Sequence, residues 1–115
     1  MKKEFNIRAG FTIENSFLHL VKGELLERNG RVFFVHHFLD FKIDEDGNKT
    51  PVELNRWMIS DLVSGCGVLL PFKRFKSRTA AIAELDKMIA EKENYLKLIT
   101  DMSEKTVKRF GPANK

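Results

Sequence analysis

The sequence predicts an α+β domain, in which an antiparallel meander of about five strands is followed by a long amphipathic C-terminal helix. Three observations support this prediction: alternating apolar residues near the start, an Asn-Gly pair between two apolar runs, and helical spacing of apolar residues after Ser77. We expect a single domain over residues 1–110, with strands within 4–75 and the helix within 78–110. Residues 111–115 are expected to form a flexible tail.

Three strands and a tight turn are indicated in the first part of the chain. Apolar residues alternate with other residues in the first of these strands, at Phe5, Ile7, Ala9, Phe11 and Ile13. The pair Asn29-Gly30 then lies between the apolar runs FLHLVKGELLE and RVFFVHHFLDFKI. Both residues tolerate the positive φ angles of a type I′ turn, so the pair predicts a β-hairpin.

A two-residue turn at Asn29-Gly30 also determines which residues of the hairpin face each other. The expected facing pairs are Leu25 with Phe34, Leu26 with Phe33, and His19 with Asp40. A bulge at Gly23 would shift this register. Because both faces of the hairpin are apolar, each needs a cover. The helix can cover one face, and the other requires sheet curvature, a second copy of the chain in a homodimer, or a ligand.

A second hairpin is predicted after the acidic stretch at residues 44–51, which is expected to be a solvated loop, and its first strand is expected at residues 56–60. Asp61 is suited to an Asx turn and Gly65 to the left-handed position that closes a short loop. Residues 68–72 are then expected to form the last strand, with Pro71 at a sheet edge or a strand end because it cannot donate to a ladder.

The helix is predicted to begin at an N-cap provided by Ser77. Its apolar stripe consists of Ile82, Leu85, Ile89, Leu96 and Ile99, with Met88, Tyr95 and Met102 alongside. No Pro or Gly interrupts residues 78–110, but Asp101 and Ser103 could cap a separate turn. One long helix and a kinked pair are both consistent with this pattern.

Composition restricts the class of protein. The chain has 115 residues, 20 Lys plus Arg against 16 Asp plus Glu, a net charge of +4 and one Cys. This length allows one domain with its own core, and a lone Cys66 cannot form an internal disulfide. No signal peptide or membrane-spanning stretch is expected, so we predict a cytoplasmic protein that does not bind membranes.

Candidate catalytic and metal sites are weak. His36 and His37 are adjacent on a strand, so they point to opposite faces and cannot share one ion. The residues after Asp44 lack the Gly and Glu of a calcium loop, and Cys66 has no His near it in sequence. No phosphate-binding loop or nucleophile motif occurs. We therefore predict no enzymatic activity, no cofactor and no metal.

Positive charge is concentrated where the last strand meets the helix. Residues 72–83 contain four basic residues and no acid, whereas residues 40–53 contain five acids and two bases. With the neighbouring aromatic residues, the candidate binding set is Lys73, Arg74, Lys76, Arg78, Arg56, Trp57 and Phe75. Basic and aromatic residues together are typical of surfaces that contact phosphates and stack on unpaired bases. The alternative is that the aromatic rings belong to the core and the charges are merely solvated.

The stretch Trp57-Met58-Ile59-Ser60-Asp61-Leu62-Val63-Ser64-Gly65, followed by a helix that opens Ser77-Arg78-Thr79-Ala80, resembles small accessory proteins of phages and other mobile elements. The resemblance implies a binding protein, and some members of this group are anti-CRISPR or other anti-defence inhibitors. The order of elements is also similar in outline to the single-strand DNA-binding fold of the transcriptional coactivator and whirly families.

Two functions are therefore expected from the sequence. The first is a small non-catalytic protein of a mobile element that binds nucleic acid, preferably single-stranded, through the basic and aromatic residues. The alternative is an inhibitor that binds a nucleic-acid-handling protein.

Overall fold

The computed structural model describes residues 3–9, 17–69 and 75–114 and confirms the α+β class. An antiparallel sheet with the order β1-β2-β3-β4 is followed by two helices. The elements are β1 (Lys3–Ala9), β2 (Phe17–Arg28), β3 (Arg31–Ile43), β4 (Lys49–Asp61), α1 (Arg78–Glu91) and α2 (Tyr95–Phe110). The predicted strand positions Phe11 and Ile13 lie outside the described residues, as do residues 70–74.

The β2–β3 hairpin has the predicted turn and, near it, the predicted register. Asn29 and Gly30 have φ angles of 53° and 83°. Leu25 pairs with Phe34 and Leu26 with Phe33, and the described ladder ends where Gly23 pairs with His36. The predicted pairing of His19 with Asp40 is not found, because the described β2–β3 ladder stops at Gly23; on its other edge β2 pairs with β1, where His19 is opposite Ile7.

Gly23 is the point at which β2 changes partners. It pairs with Lys3 of β1 on one side and with His36 of β3 on the other. A Cβ atom at this position would lie 2.9 Å from the carbonyl oxygen of Val35 and 3.3 Å from the ring of Phe34. This close approach requires glycine. The predicted register therefore holds between Gly23 and the turn and does not continue beyond it.

The sheet is curled, so that the turn after β4 reaches the outer edge of β1. The amide of Arg8 donates to the carbonyl oxygen of Gly65 over 2.9 Å. We call this contact line between β1 and residues 62–65 the seam. The curl encloses a small core on the concave face, composed of Phe5, Ile7, Val21 and Phe34, with Leu62 packed against it. Curvature thus covers the part of the second apolar face formed by this small core, whereas Leu25 on the same face is 52% exposed.

The other face of the sheet packs against the helices. The buried residues of this core are Phe33, Val35, Ile59, Val68, Ala81, Leu85, Met88, Tyr95 and Ile99. The hydroxyl of Ser77 accepts from the amide of Ala80, which confirms the N-cap. Of the two alternatives that the sequence leaves open, the structure has the pair of helices, and the break lies at Lys92, whose extended backbone angles end α1, and not near Asp101. This break turns Tyr95 inward, where its hydroxyl donates to the carbonyl oxygen of Val68.

The described residues on either side of the predicted fifth strand lie beside β4. Two isolated antiparallel bridges, Ser60 with Gly67 and Trp57 with Phe75, connect these flanking residues to β4, and the amide of Val68 donates to the carbonyl oxygen of Ile59. Within the described part of the chain these bridges are the only strand-type pairings of the flanking residues. The acidic loop closes the β3–β4 hairpin but is shorter than predicted, because β4 already begins at Lys49. In residues 44–48 the carboxylate of Asp44 accepts from the amides of Asp46 and Asn48.

Residues 111–114, which the sequence analysis expected to be part of a flexible tail, lie along the seam and contact it; we call them the strap. Ala113 is buried, and its amide donates to the carbonyl oxygen of Val63. The side chain of Asn114 accepts from the amide of Asn6 and donates to the carbonyl oxygens of Asn6 and Leu62. A sheet edge leaves backbone groups without partners, and an asparagine amide supplies both a donor and an acceptor for them.

Replacing Gly65 with alanine should destabilise the fold far more than the same change at Gly47. Both glycines have positive φ, at 74° and 82°. A Cβ atom at Gly65 would lie 3.0 Å from the amide of Arg8 and 2.9 Å from the Cβ of Ala113, whereas nothing lies within 4 Å at Gly47. We expect a loss of about 1 kcal/mol for Gly47→Ala, from backbone strain alone, and about 3 kcal/mol for Gly65→Ala.

The measurement is the free energy of unfolding by urea for the parent and both variants. Equal losses for the two variants would show that the seam is not closely packed around Gly65.

Candidate nucleic-acid interface

The structure brings together the two aromatic residues predicted to bind bases. The amide of Trp57 donates to the carbonyl oxygen of Phe75 over 2.8 Å, and the amide of Phe75 donates to the carbonyl oxygen of Trp57 over 3.1 Å. This reciprocal pair places the two residues side by side on the outer edge of β4. Lys73 and Arg74, which were also predicted to bind, lie outside the described residues.

Trp57 and Phe75 are partly buried. Both rings pack against the helix-facing core, and the ring of His37 meets Trp57 edge-on with centroids 4.2 Å apart. The two residues are therefore neither enclosed in the core nor fully exposed to solvent. We call Trp57, Phe75 and His37 the aromatic edge. Each of its three rings keeps part of its surface accessible to solvent.

The basic residues near the aromatic edge differ in what they contact. Arg56 and Lys76 are exposed, and the guanidinium of Arg56 donates only locally, to the carbonyl oxygen of Asn55. Arg78 instead forms an ion pair with Glu24 of β2. Arg78, which the sequence assigned to binding, therefore connects α1 to the sheet, and its charge is compensated.

A second ion pair supports the same connection. The guanidinium of Arg28 lies 2.6 Å from the carboxylate of Asp86, further along α1. Both pairs are partly exposed, so each contributes little stability by itself. Together they join α1 to β2 at two points. Sequence reasoning missed this role because a run of basic residues does not show which acids lie opposite it.

The acidic loop does not neutralise the aromatic edge. It lies at the far end of the β3–β4 hairpin, about 25 Å from Trp57 given the rise of a strand. Charges in solution are screened over about 8 to 10 Å at moderate salt. The positive charges of Arg56 and Lys76 are therefore electrostatically separate from Asp44, Glu45 and Asp46.

A buried pair that the sequence analysis did not foresee lies beneath the concave face. His36 and Ser60 are both inaccessible to solvent, and the Nε2 atom of His36 is 2.8 Å from the hydroxyl of Ser60. The Nδ1 atom lies 2.7 Å from the carbonyl oxygen of His37. A carbonyl can only accept, so Nδ1 carries the proton and Nε2 accepts from Ser60. The pair has the atoms of a nucleophile and its base, but it is enclosed in the core.

Burial strongly affects the charge of His36. It lowers the pKa of the imidazole from 6.5 to about 4, although the hydrogen bond to the backbone of His37 opposes the change. His36 is therefore neutral at physiological pH. To predict the pair of His36 and Ser60 from the sequence, one would need the register between β3 and β4, which places Phe34 opposite Ser60.

Asp61 is the second buried titratable group. Its carboxylate accepts from Arg31 over 2.8 Å, from the amide and hydroxyl of Ser64, and from the hydroxyl of Ser103 in α2. Burial by itself would raise the pKa of Asp61, but these hydrogen bonds outweigh it and lower the pKa below its usual range. The turn predicted at Asp61 is found and Gly65 has the expected positive φ, but the amide that binds the carboxylate is three residues on, at Ser64, and not two as in a simple Asx turn.

The motif that suggested mobile-element proteins is thus explained by folding contacts. Ile59 lies in the helix-facing core, Ser60 binds His36, Asp61 binds Ser64, and Gly65 closes the seam. Only Trp57 in this motif belongs to the aromatic edge.

Further functional signals are few in the described part of the chain. It contains no group of three or more His, Cys, Asp or Glu residues arranged to hold a metal ion, and no described helix is both long and apolar enough to span a membrane. Cys66 is partly buried, with its sulfur 3.9 Å from the hydroxyl of Thr106. Comparison with models of protein families, with curated proteins and with solved structures found no match to this chain.

The stability of the protein should fall as the pH is lowered from about 6.5 towards 4. In this window the unfolded chain protonates His36 while the folded chain does not, so protons favour unfolding. The full effect over the window is about 3 kcal/mol. Above pH 6.5 neither state binds this proton and the contribution is constant.

Urea unfolding at several pH values between 4 and 7 measures this dependence. The variant His36→Gln is the control, because it lacks the titrating ring and should show a shallower slope whatever its absolute stability. An equal slope in parent and variant would exclude His36 as the source.

Proposed function

We propose that this chain is a small non-catalytic binding protein that contacts single-stranded nucleic acid through its aromatic edge. The observation that supports this proposal most directly is the backbone pairing of Trp57 with Phe75, which aligns two partly exposed rings at one sheet edge. Arg56 directly precedes Trp57 in sequence, Lys76 directly follows Phe75, and both are exposed.

The physical basis is stacking combined with charge. Stacking of one base on an aromatic ring contributes about 1 to 3 kcal/mol and tolerates any base, because every base has a π face. Trp57 is held by His37 and by the core, so little freedom is lost when a base binds. Exposed cations next to the rings supply phosphate contacts. Duplex DNA could make the same phosphate contacts, but only an unpaired strand can also stack its bases on the rings.

The same proposal includes the cellular setting that the sequence suggests. The resemblance of the Trp57-to-Gly65 stretch to accessory proteins of mobile elements supports an origin in a phage or a related element, and the lone cysteine supports a cytoplasmic location. Lys73 and Arg74 lie in sequence just before Phe75 and are proposed to add to the phosphate contacts.

The test uses the intrinsic fluorescence of Trp57, which is the only tryptophan in the chain. A single-stranded oligonucleotide should quench it, and Trp57→Leu should weaken binding about tenfold in a fluorescence anisotropy assay, whereas Trp57→Phe should retain most of the affinity. Arg56→Gln and Lys76→Gln should each lower the slope of log affinity against log salt by about 0.7.

Arg78→Gln is the matched control within the same basic run. Because Glu24 already neutralises Arg78, this variant should lose a little stability and leave the salt slope unchanged. Binding that is independent of salt, or equal loss in all three charge variants, would overturn the proposed site.

A different observation favours the second candidate, an inhibitor that binds a nucleic-acid-handling protein such as an anti-CRISPR or anti-defence protein. Leu18 and Leu20 alternate along β2 and are 45% and 54% exposed. Nucleic acid makes no use of such side chains, whereas protein partners bury them. A homodimer formed through the same strip would also bury them.

Leu18→Ser combined with Leu20→Ser separates these possibilities. The inhibitor hypothesis predicts that the parent forms a stable complex with a purified single-strand nuclease or CRISPR effector and inhibits it, and that the double variant does neither while binding oligonucleotide normally. Light scattering after size exclusion reports a homodimer directly. Inhibition that survives the double substitution would exclude this strip as the docking surface.

A further inference from the structure

A cationic cluster is found at the end of α2, away from the residues considered so far. The guanidinium carbons of Arg8 and Arg109 lie 4.9 Å and 5.1 Å from the centroid of the same ring, that of Phe110. Phe110 is 38% exposed, and Lys105 and Lys108 are exposed on the neighbouring turns of the helix. We call these five residues the Phe110 cluster.

Ion pairs distinguish this cluster from the three arginines that connect parts of the fold. Arg28, Arg31 and Arg78 each contact a carboxylate and connect parts of the fold. Across residues 3–9, 17–69 and 75–114, no ion pair includes Arg8 or Arg109. Two like charges thus approach one ring without an acid between them, an arrangement that suits an anionic partner.

Helix electrostatics explain only part of the cluster. Cations in the last turn of a helix are favoured by its dipole, which accounts for Lys108 and Arg109. Arg8 is different, because it comes from β1. Its Nη2 atom reaches the carbonyl oxygen of Gly111 only over 3.4 Å, and its buried Nε atom has no partner among the described residues. A guanidinium carries five N–H donors, so the Nη groups of Arg8 retain donors for a further partner.

We propose that the Phe110 cluster binds the phosphodiester backbone of a nucleic-acid strand, as a surface separate from the aromatic edge. Guanidinium groups bind phosphate through two parallel hydrogen bonds, and contact with an aromatic ring holds them in place for this. Asp101 and Glu104 precede Lys105 and Lys108 by one turn and offset part of their charge. Arg109 and Arg8 have no such neighbour in α2 and are the main contacts.

This inference extends the proposed function but does not depend on stacking, so the two are separable with two probes. One is a single-stranded oligonucleotide, and the other is an abasic oligonucleotide of equal length, which has phosphates and no bases. The combined variant Lys105→Gln with Arg109→Gln should bind both probes about tenfold more weakly at 0.1 M salt. Trp57→Leu should weaken binding of the base-bearing probe alone.

Lys97→Gln is the matched control, because Lys97 is an exposed lysine in the first half of the same helix. It should leave both affinities unchanged. If it weakens binding as much as the combined variant, or if the combined variant binds the abasic probe like the parent, the Phe110 cluster is not a phosphate surface. Vesicles of phosphatidylserine and phosphatidylcholine form a third arm, and tighter cluster-dependent binding to them than to the abasic probe would overturn the assignment to nucleic acid.

The binding data distinguish failure of the aromatic edge from failure of the Phe110 cluster. Loss of binding only in Trp57→Leu retains the aromatic edge and rejects the cluster. Loss only in the combined variant, for both probes, retains the cluster and rejects the aromatic edge.

Discussion

The buried carboxylate of Asp61 is the contact on which the arrangement of the other elements depends. It lies at the end of β4 and accepts hydrogen bonds from β3, from the following turn and from α2. Burying a charge is costly unless it is paired and fully hydrogen-bonded, and here every partner is present. Removing one partner of such a group usually costs about 3 to 5 kcal/mol, because the other charge remains unpaired.

The geometry of the seam follows from this carboxylate. By binding the amide and hydroxyl of Ser64, Asp61 shapes the turn that presents Gly65 to β1 and Leu62 to Asn114. The same residue ties the turn to Ser103 and so sets where α2 runs. The end of α2 then brings Phe110 beside Arg8. Both the closure of the concave core and the position of the Phe110 cluster therefore depend on one side chain.

Sequence reasoning succeeded where the physical signal is local. The positive φ angles at Asn29 and Gly30, the turn at Asp61 and the N-cap at Ser77 all come from chemistry within a few residues. The end of α1 at Lys92 had no such signal, because neither Gly nor Pro marks it. Pairing of His36 with Ser60 needs the register of two strands, and that register shifts between His37 and Leu39.

The candidate site shows the same limit. Trp57 and Phe75 could be chosen for their composition, but their alignment comes from a bridge between segments that the sequence does not connect. Arg78 was assigned to binding because a charge run does not show which acid lies opposite it, here Glu24 of β2. The Phe110 cluster combines a residue of the first strand with the end of the last helix, so no window of sequence contains it.

The strap has a consequence for how the chain is made. A ribosome produces β1 before the strap, yet the amide of Asn6 donates to the side chain of Asn114, which is 108 positions further along the chain. Pairing of β1 with β2 and of β2 with β3 can begin as these strands emerge, and Arg8 can pair with Gly65 once the turn after β4 is made, but the contacts around Asn6 form only when residue 114 has left the exit tunnel. Until then this part of the outer edge of β1 is an uncovered strand, which other nascent chains could pair with. Completion of the fold is therefore a late event that depends on the last residues of the strap.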